Sequence, residues 1–303
     1  MVDLSDCPSD VVAEIFSWIH PSQVVGYGLL SRSFYQCLTS NSFALSNIHR
    51  FDPNTAAQSR NDIPQKMKVY LVRGPAWYQS AVISLHQHIK EIQLYEYPSC
   101  NINLLQSMIS FSRLVSLEMF DVNIASCIPS EISLLTNLET LRLCECRLIG
   151  EIPLSIGSLS KLTWLSLRDN DLCGPLPPTL ESLTSLTKLV LHGNKLTGEI
   201  PKGLIKLKQL RELYLDANLL VGHIPPEIGT LTNLEAIDLS YNNLCGEIPK
   251  EFGQLTKLTQ LRLISNQLEG VVPSELGKLP KLRELGLSEN PLLDRAVSYF
   301  GFD

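Results

Sequence analysis

Leu159-Ser160-Lys161-Leu162-Thr163-Trp164-Leu165-Ser166-Leu167-Arg168-Asp169-Asn170-Asp171-Leu172-Cys173-Gly174-Pro175-Leu176-Pro177-Pro178-Thr179-Leu180-Glu181-Ser182 is a 24-residue sentence written six times between Leu135 and Lys278. Laid beneath one another, the copies align three columns. One holds Asn170, Asn194, Asn218, Asn242, Asn266 and Asn290. A second holds Gly150, Gly174, Gly198, Gly222, Gly246 and Gly270. A third runs from Pro129 through Pro153, Pro177, Pro201, Pro225 and Pro249 to Pro273. A fixed period of this length predicts a solenoid, because one coil cannot cover its own leucines and must stack on its neighbours.

Within a copy, the L-x-x-L-x-L core predicts a short strand. Alternation sends Leu165 and Leu167 inward and Trp164, Ser166 and Arg168 outward. The Asn that follows carries both donors and an acceptor on a short arm. Buried at the turn, it is expected to satisfy backbone groups of its own coil and the next, forming a ladder. The Gly permits a turn that other residues resist. The Pro fixes φ and limits pairing of the back-side segment. The ending Leu196-Thr-Gly198-Glu-Ile200-Pro201 resembles that of the plant-type leucine-rich repeat. That resemblance implies an α/β solenoid, a right-handed horseshoe or superhelix with parallel strands on the concave face. It also implies protein binding and no chemistry.

Composition narrows the partners. A net charge of −6, from 25 basic and 31 acidic residues in 303, leaves no broad footprint for nucleic acid or membrane. No run of 18 apolar residues occurs. The start, Met-Val-Asp-Leu-Ser-Asp, reads as no signal peptide. The 8 cysteines are scattered, and no Asn-x-Ser/Thr sequon occurs. Reduced thiols and a cytoplasmic or nuclear location are expected.

Residues 1–45 lack the 24-residue rhythm and read as three short helices. Pro8-Ser9-Asp10 supplies a start, and Val11, Val12, Ile15, Phe16 and Ile19 recur at helical spacing. Pro21 breaks the first helix, and Leu30-Ser31-Arg32-x-Phe34 opens the third. This arrangement resembles the F-box. The resemblance implies that Pro8, Val12, Ile15, Phe16, Ile19, Pro21 and Val24 dock on a Skp-family adaptor in a cullin-based ubiquitin ligase. The alternative is a plain helical cap that shields the first coil from water. Beyond it, residues 46–66 read as a polar connector and 67–134 as worn repeats. The six regular copies fill 135–278. Residues 279–303 form a last coil, with Tyr299, Phe300 and Phe302 folding back as a lid.

Outward strand positions should line up in rows about 4.8 Å apart. One row passes through Thr140, Trp164, Lys188 and Glu212, the next through Arg142, Ser166, Val190, Tyr214, Asp238 and Arg262. The third passes through Phe120, Cys144, Arg168, His192 and Asp216, with Tyr241 beside it. Arg142, Trp164, Arg168, His192, Tyr214, Asp216, Asp238, Tyr241 and Arg262 are therefore the candidate partner-binding residues. Aromatic and arginine side chains exposed together dominate interface energetics. A protein substrate is expected, centred on Trp164, Arg168, His192, Tyr214 and Asp216. Chemistry is set aside. His86-x-His88 is too little for zinc, Cys144 and Cys146 have no second pair, and Glu199 stands where a phosphate loop needs Lys. No catalytic residue, metal or cofactor is expected. The reading is a monomeric adaptor within a larger ligase complex, or else an intracellular scaffold without a ubiquitin role.

Overall fold

The computed structural model describes residues 89–97 and 104–294. Nine strands form one parallel sheet in chain order: Glu91–Tyr97, Ser116–Val122, Thr140–Cys144, Trp164–Ser166, Lys188–Val190, Glu212–Tyr214, Ala236–Asp238, Gln260–Arg262 and Glu284–Gly286. The register follows the period: Thr140 pairs with Trp164, Trp164 with Lys188 and Lys188 with Glu212. From Ser116 onward a step of one coil along the sheet is thus a step of 24 in sequence, and the first step, Glu91 to Ser116, is 25.

Each coil is closed by its leucines. In the quoted copy Leu159, Leu162, Leu165, Leu167, Leu172, Leu176 and Leu180 are all buried. Full burial of one such side chain stabilises by roughly 2 kcal/mol. The core is one continuous apolar column from Ile89 to Leu293.

The asparagine ladder forms as expected. Asn170 Nδ2 donates to the carbonyls of Leu143 (2.7 Å), Leu167 (2.9 Å) and Arg168 (3.0 Å). Its Oδ1 accepts from the backbone N–H of Cys146 and Leu148, both at 3.0 Å. The same relay recurs at Asn218, which donates to Leu191, Leu215 and Asp216 and accepts from Leu196. Every member of the column is buried. Each amide oxygen therefore serves the coil before its own. Cys146 holds the equivalent place one coil earlier. Its Sγ donates to the carbonyls of Met119 and Cys144, while its own backbone carbonyl accepts from Ile124 N–H at 3.1 Å. Backbone oxygen replaces the missing amide oxygen.

The residue before each ladder position lies in the left-handed region: Asp121, Glu145, Asp169, Gly193, Ala217, Tyr241, Ser265 and Glu289, with φ between 50 and 67°. Only Gly193 adopts it without cost. Asp169, Ala217, Tyr241, Ser265 and Glu289 hold it beside a ladder amide that ties the turn down, whereas Asp121 and Glu145 adopt it beside Val122 and Cys146.

Two features differ from the α/β expectation. The back-side segments are 3-10 helices, at 130–134, 154–158, 178–182, 202–206, 226–230, 250–254 and 276–278, rather than α-helices. The first six each start after a column proline with φ between −69 and −61° and stop at a leucine. Five residues between those two stops allow little more than one 3-10 turn and a half, too short for an α-helix. Leu104–Met108 is the α-helix among the described residues. Second, the segment between ladder and proline also pairs. Ile149–Glu151, Asp171–Pro175 and Lys195–Thr197 make a three-stranded parallel sheet. Val221–His223, Asn243–Glu247, Gln267–Val271 and Leu292–Asp294 make a four-stranded one. The column glycines, φ 75 to 79°, bend these strands; a Cβ on Gly174 would press on the Glu151 side chain. The residues read as a three-helix domain, the connector and the carboxy-terminal lid, with Pro8, Val12, Ile15, Phe16, Ile19, Pro21, Val24, His86 and His88, lie outside the described residues.

Candidate ligand-binding face

The outward positions of the nine-stranded sheet form one open face. Not all of them are free. Cys144, Ser166, Ala236, Asp238 and Ser240 are buried. These short side chains sit between longer neighbours in adjacent coils and are covered by them. Cys144 Sγ lies 3.3 Å from Ser166 Oγ, and burial raises the Cys144 thiol pKa above its ordinary value. Ser240 Oγ accepts from Ile264 N–H at 3.1 Å. Outward direction on a strand therefore does not guarantee access.

The amino-terminal part of the face is a stack of rings and cations. Tyr95 and Phe120 stack with centroids 5.3 Å apart. The Arg142 guanidinium lies 4.5 Å from the Phe120 centroid and 4.2 Å from that of Trp164. Lys188 Nζ approaches Trp164 from the other side at 4.9 Å. Each cation also has an acid: Arg142 with Glu118 at 2.7 Å, Lys188 with Glu212 at 2.8 Å. Each cation–ring contact contributes about 0.5–1 kcal/mol at a site of this exposure. The stack runs on a diagonal, since Phe120, Arg142 and Trp164 are 22 residues apart in sequence. Arg168 is held separately, by Asp169 at 2.6 Å and Glu145 at 3.0 Å.

The carboxy-terminal part is a recess of about 320 Å³ lined by His192, Tyr214, Asp216, Asp238, Gln260 and Arg262. Asp238 Oδ1 accepts from Ser240 N–H at 3.0 Å, and its Oδ2 faces Arg262 at 3.4 Å. Arg262 also pairs with Glu284 at 2.5 Å. Asp216 is different. Its charged-capable neighbour is His192, whose Nδ1 is 3.8 Å away, and His192 in turn faces Asp169 at 4.0 Å. Burial, then the Asp238 carboxylate, pushes the Asp216 pKa up to about 6, with His192 acting in the opposite sense. Burial, then Glu212, raises the Tyr214 hydroxyl.

Of the nine sequence candidates, five share this recess: His192, Tyr214, Asp216, Asp238 and Arg262. Arg142 and Trp164 belong to the stack, and Arg168 to its own ion pairs. Tyr241 stands exposed at a left-handed turn. Gln260 is the lining residue that residue type alone did not single out. Its position opposite Ala236 in the row was the available signal. Among the described residues, no group of His, Cys, Asp and Glu could hold a metal ion, and no helix is long and apolar enough to cross a membrane.

Two models of one family, each described as leucine rich repeat, match the chain. One covers 137–159, 161–183 and 185–207, the other 208–268 and 232–292. No curated protein matches by sequence. Among solved structures, the ectodomain of the receptor kinase GASSHO1/SCHENGEN3 from Arabidopsis thaliana, in complex with CASPARIAN STRIP INTEGRITY FACTOR 2, is 33% identical. The match covers 67% of this chain and 24% of that one, with a TM-score of 0.58. The Arabidopsis receptor kinase HAESA ectodomain, in complex with an IDA peptide hormone, is 32% identical over 70% of this chain and 39% of that one, TM-score 0.60. A plant ice-binding protein is 30% identical over 68% of this chain and 72% of that one, TM-score 0.50. The chain spans well under half the length of the two receptor ectodomains it matches.

Proposed function

The chain belongs to the leucine-rich-repeat family, and from that premise we propose that it is a non-catalytic recognition module. Its ligand is a protein or peptide held across the open sheet face and centred on the recess between His192 and Arg262. One observation carries this reading. The recess presents Tyr214 and Asp216 without a strong internal partner, whereas the cations of the face are each paired with an acid of the chain. A group left in this state gains from an incoming partner more than one already satisfied. The test is to introduce Tyr214→Arg, which fills the recess and adds a like charge to Arg262. Loss of partner capture with unchanged circular dichroism supports the site, and unchanged capture rejects it.

The proposal extends to the amino-terminal residues. Residues 1–45 dock on a Skp-family adaptor through Pro8, Val12, Ile15, Phe16, Ile19, Pro21 and Val24. The repeats then present a protein target to a cullin-based ubiquitin ligase, with the chain as a monomer within that complex, in the cytoplasm or nucleus. What supports this part is the F-box-like spacing of those residues. Co-purification with a Skp adaptor, lost on Pro8→Asp or Ile15→Glu, is the expected result. No association by the intact chain leaves the scaffold reading. A second reading of the ligand is an extended peptide, favoured by likeness to receptor ectodomains solved with peptide hormones. Competition of a captured partner by short fragments of itself separates the two.

A further inference from the structure

We propose that the recess receives a positively charged side chain, a lysine or arginine presented by a basic peptide segment, seated against Asp216. This rests on the reading of the sheet face as the ligand-binding surface.

The charges of the face decide the sign. Each of its cations is already held: Arg142 by Glu118, Arg168 by Asp169 and Glu145, Lys188 by Glu212, and Arg262 by Asp238 and Glu284. Two of these cations are shared between two acids, so carboxylates are in excess. The excess is focused at Asp216, whose one ion-pair partner within 4.0 Å among the described residues is the His192 ring. The Asp238 carboxylate and the flank of Tyr214 share the same recess. An entering ammonium or guanidinium would meet Asp216 directly and could lay its methylene stem on the Tyr214 ring.

Other occupants fit worse. An acidic segment would face Asp216, Asp238 and Glu284 together, and like-charge contact is strongly unfavourable. An apolar side chain would strip water from Asp216 and give nothing back. A metal ion lacks ligands, since no group of three or more suitable side chains gathers here among the described residues.

The experiment uses the full chain and three fluorescent peptides of one length, carrying arginine, serine or glutamate at the same positions, followed by anisotropy at low salt. The arginine peptide is expected to bind at least ~10-fold tighter than the serine peptide, and the glutamate peptide not at all. Asp216→Asn should weaken the arginine peptide by about 10-fold. Glu199→Gln removes one exposed charge beyond the sheet face and should leave affinity unchanged. Equal losses in the two variants would mean diffuse attraction to an acidic chain, and would overturn the proposal. So would equal binding of the arginine and serine peptides, or no arginine-peptide binding up to ~1 mM.

Acidification supplies a second readout. The groups facing Asp216 are His192, Tyr214, Asp238 and Arg262, with Asp169 beyond the imidazole. Lowering pH through about 6 neutralises Asp216, which removes the charge that attracts a cation. Wild-type affinity should fall between about pH 7.5 and 5.5, more steeply than that of Asp216→Asn; parallel pH profiles count against the proposal. If a captured partner is lost by Tyr214→Arg but untouched by Asp216→Asn, the charge inference fails and the face reading survives. If neither substitution matters, both fall.

Discussion

The two ends of the sheet face use similar residue types to opposite effect. At the amino-terminal end, Tyr95, Phe120, Arg142, Trp164 and Lys188 lean on one another, and both cations end on acids. At the carboxy-terminal end, Tyr214, His192, Asp216, Asp238 and Arg262 surround an open recess, and one acid keeps no strong partner. Aromatic and charged residues on a face mark a binding site only where the chain has not already used them. Content is the same in both regions; what differs is how much of it remains unspent.

The largest way to break the comparison is to remove the frame beneath both regions. Asn218→Leu strands the Leu196 N–H in the core and takes a donor from the carbonyls of Leu191, Leu215 and Asp216, which keep the Asn194 amide, the Asn242 amide and the Gly193 N–H. It is expected to cost about 3–5 kcal/mol, read as a lower denaturation midpoint, and to disable both ends together. Next comes Tyr214→Arg, expected to reduce partner affinity by more than ~100-fold, about 2.7 kcal/mol, by titration calorimetry. Trp164→Ala should do the reverse. It removes the ring between two cations and costs about 2 kcal/mol of stability, while affinity changes by less than ~3-fold. A large loss of affinity there would put the ligand on the stack as well.

The smallest effect concerns Asp216 itself. Its folded pKa, up to about 6, lies above the ~3.9 of an unfolded aspartate. The folded chain therefore holds the proton more tightly. That stability is fully present below about pH 4 and is lost as pH rises through about 6. At about pH 7.5 the charged form burdens the fold, so Asp216→Asn should stabilise by about 1–2 kcal/mol, a gain that fades below about pH 4.5. Stability given up at a recess residue is what a ligand-binding role predicts. A destabilised variant at neutral pH would instead show that Asp216 holds the fold.

Much of the scaffold was legible because three residue types each had one physical job. The Asn column marks buried amides, the Pro column marks where the 3-10 segments begin, and the leucines mark the interior. The left-handed column escaped notice because only Gly193 advertises it; Asp169, Ala217 and Tyr241 adopt the same turn under the constraint of the ladder. The two small sheets escaped because strands of three to five residues, most with a glycine in or beside them, look like loops. At the site, alternation assigned the candidates other than Tyr241 to outward positions, although Asp238 is buried there. It could not tell Arg142, which two rings and Glu118 capture, from Arg262, which borders the recess. The missing rule is geometric. In this register a side chain meets partners 24 residues away along its row and 22 away on the diagonal, and Phe120, Arg142 and Trp164 obey the second spacing. The F-box-like reading of residues 1–45 rests on sequence alone, since those residues lie outside the described ones.

The ladder also sets how such a chain can lengthen or shorten. Each amide links its own turn to the one preceding it at a constant offset, so every internal unit is interchangeable with its neighbours. Duplicating a whole 24-residue unit after Val190 would keep the ladder in step and move the cationic stack and the acidic recess farther apart. Within the asparagine ladder a change of 23 or 25 would move each amide off the backbone groups it binds; the 25-residue step between Glu91 and Ser116 lies ahead of the ladder. Length in this architecture is therefore quantised, and the distance between two recognition features is a quantity that gene duplication can adjust without touching either one.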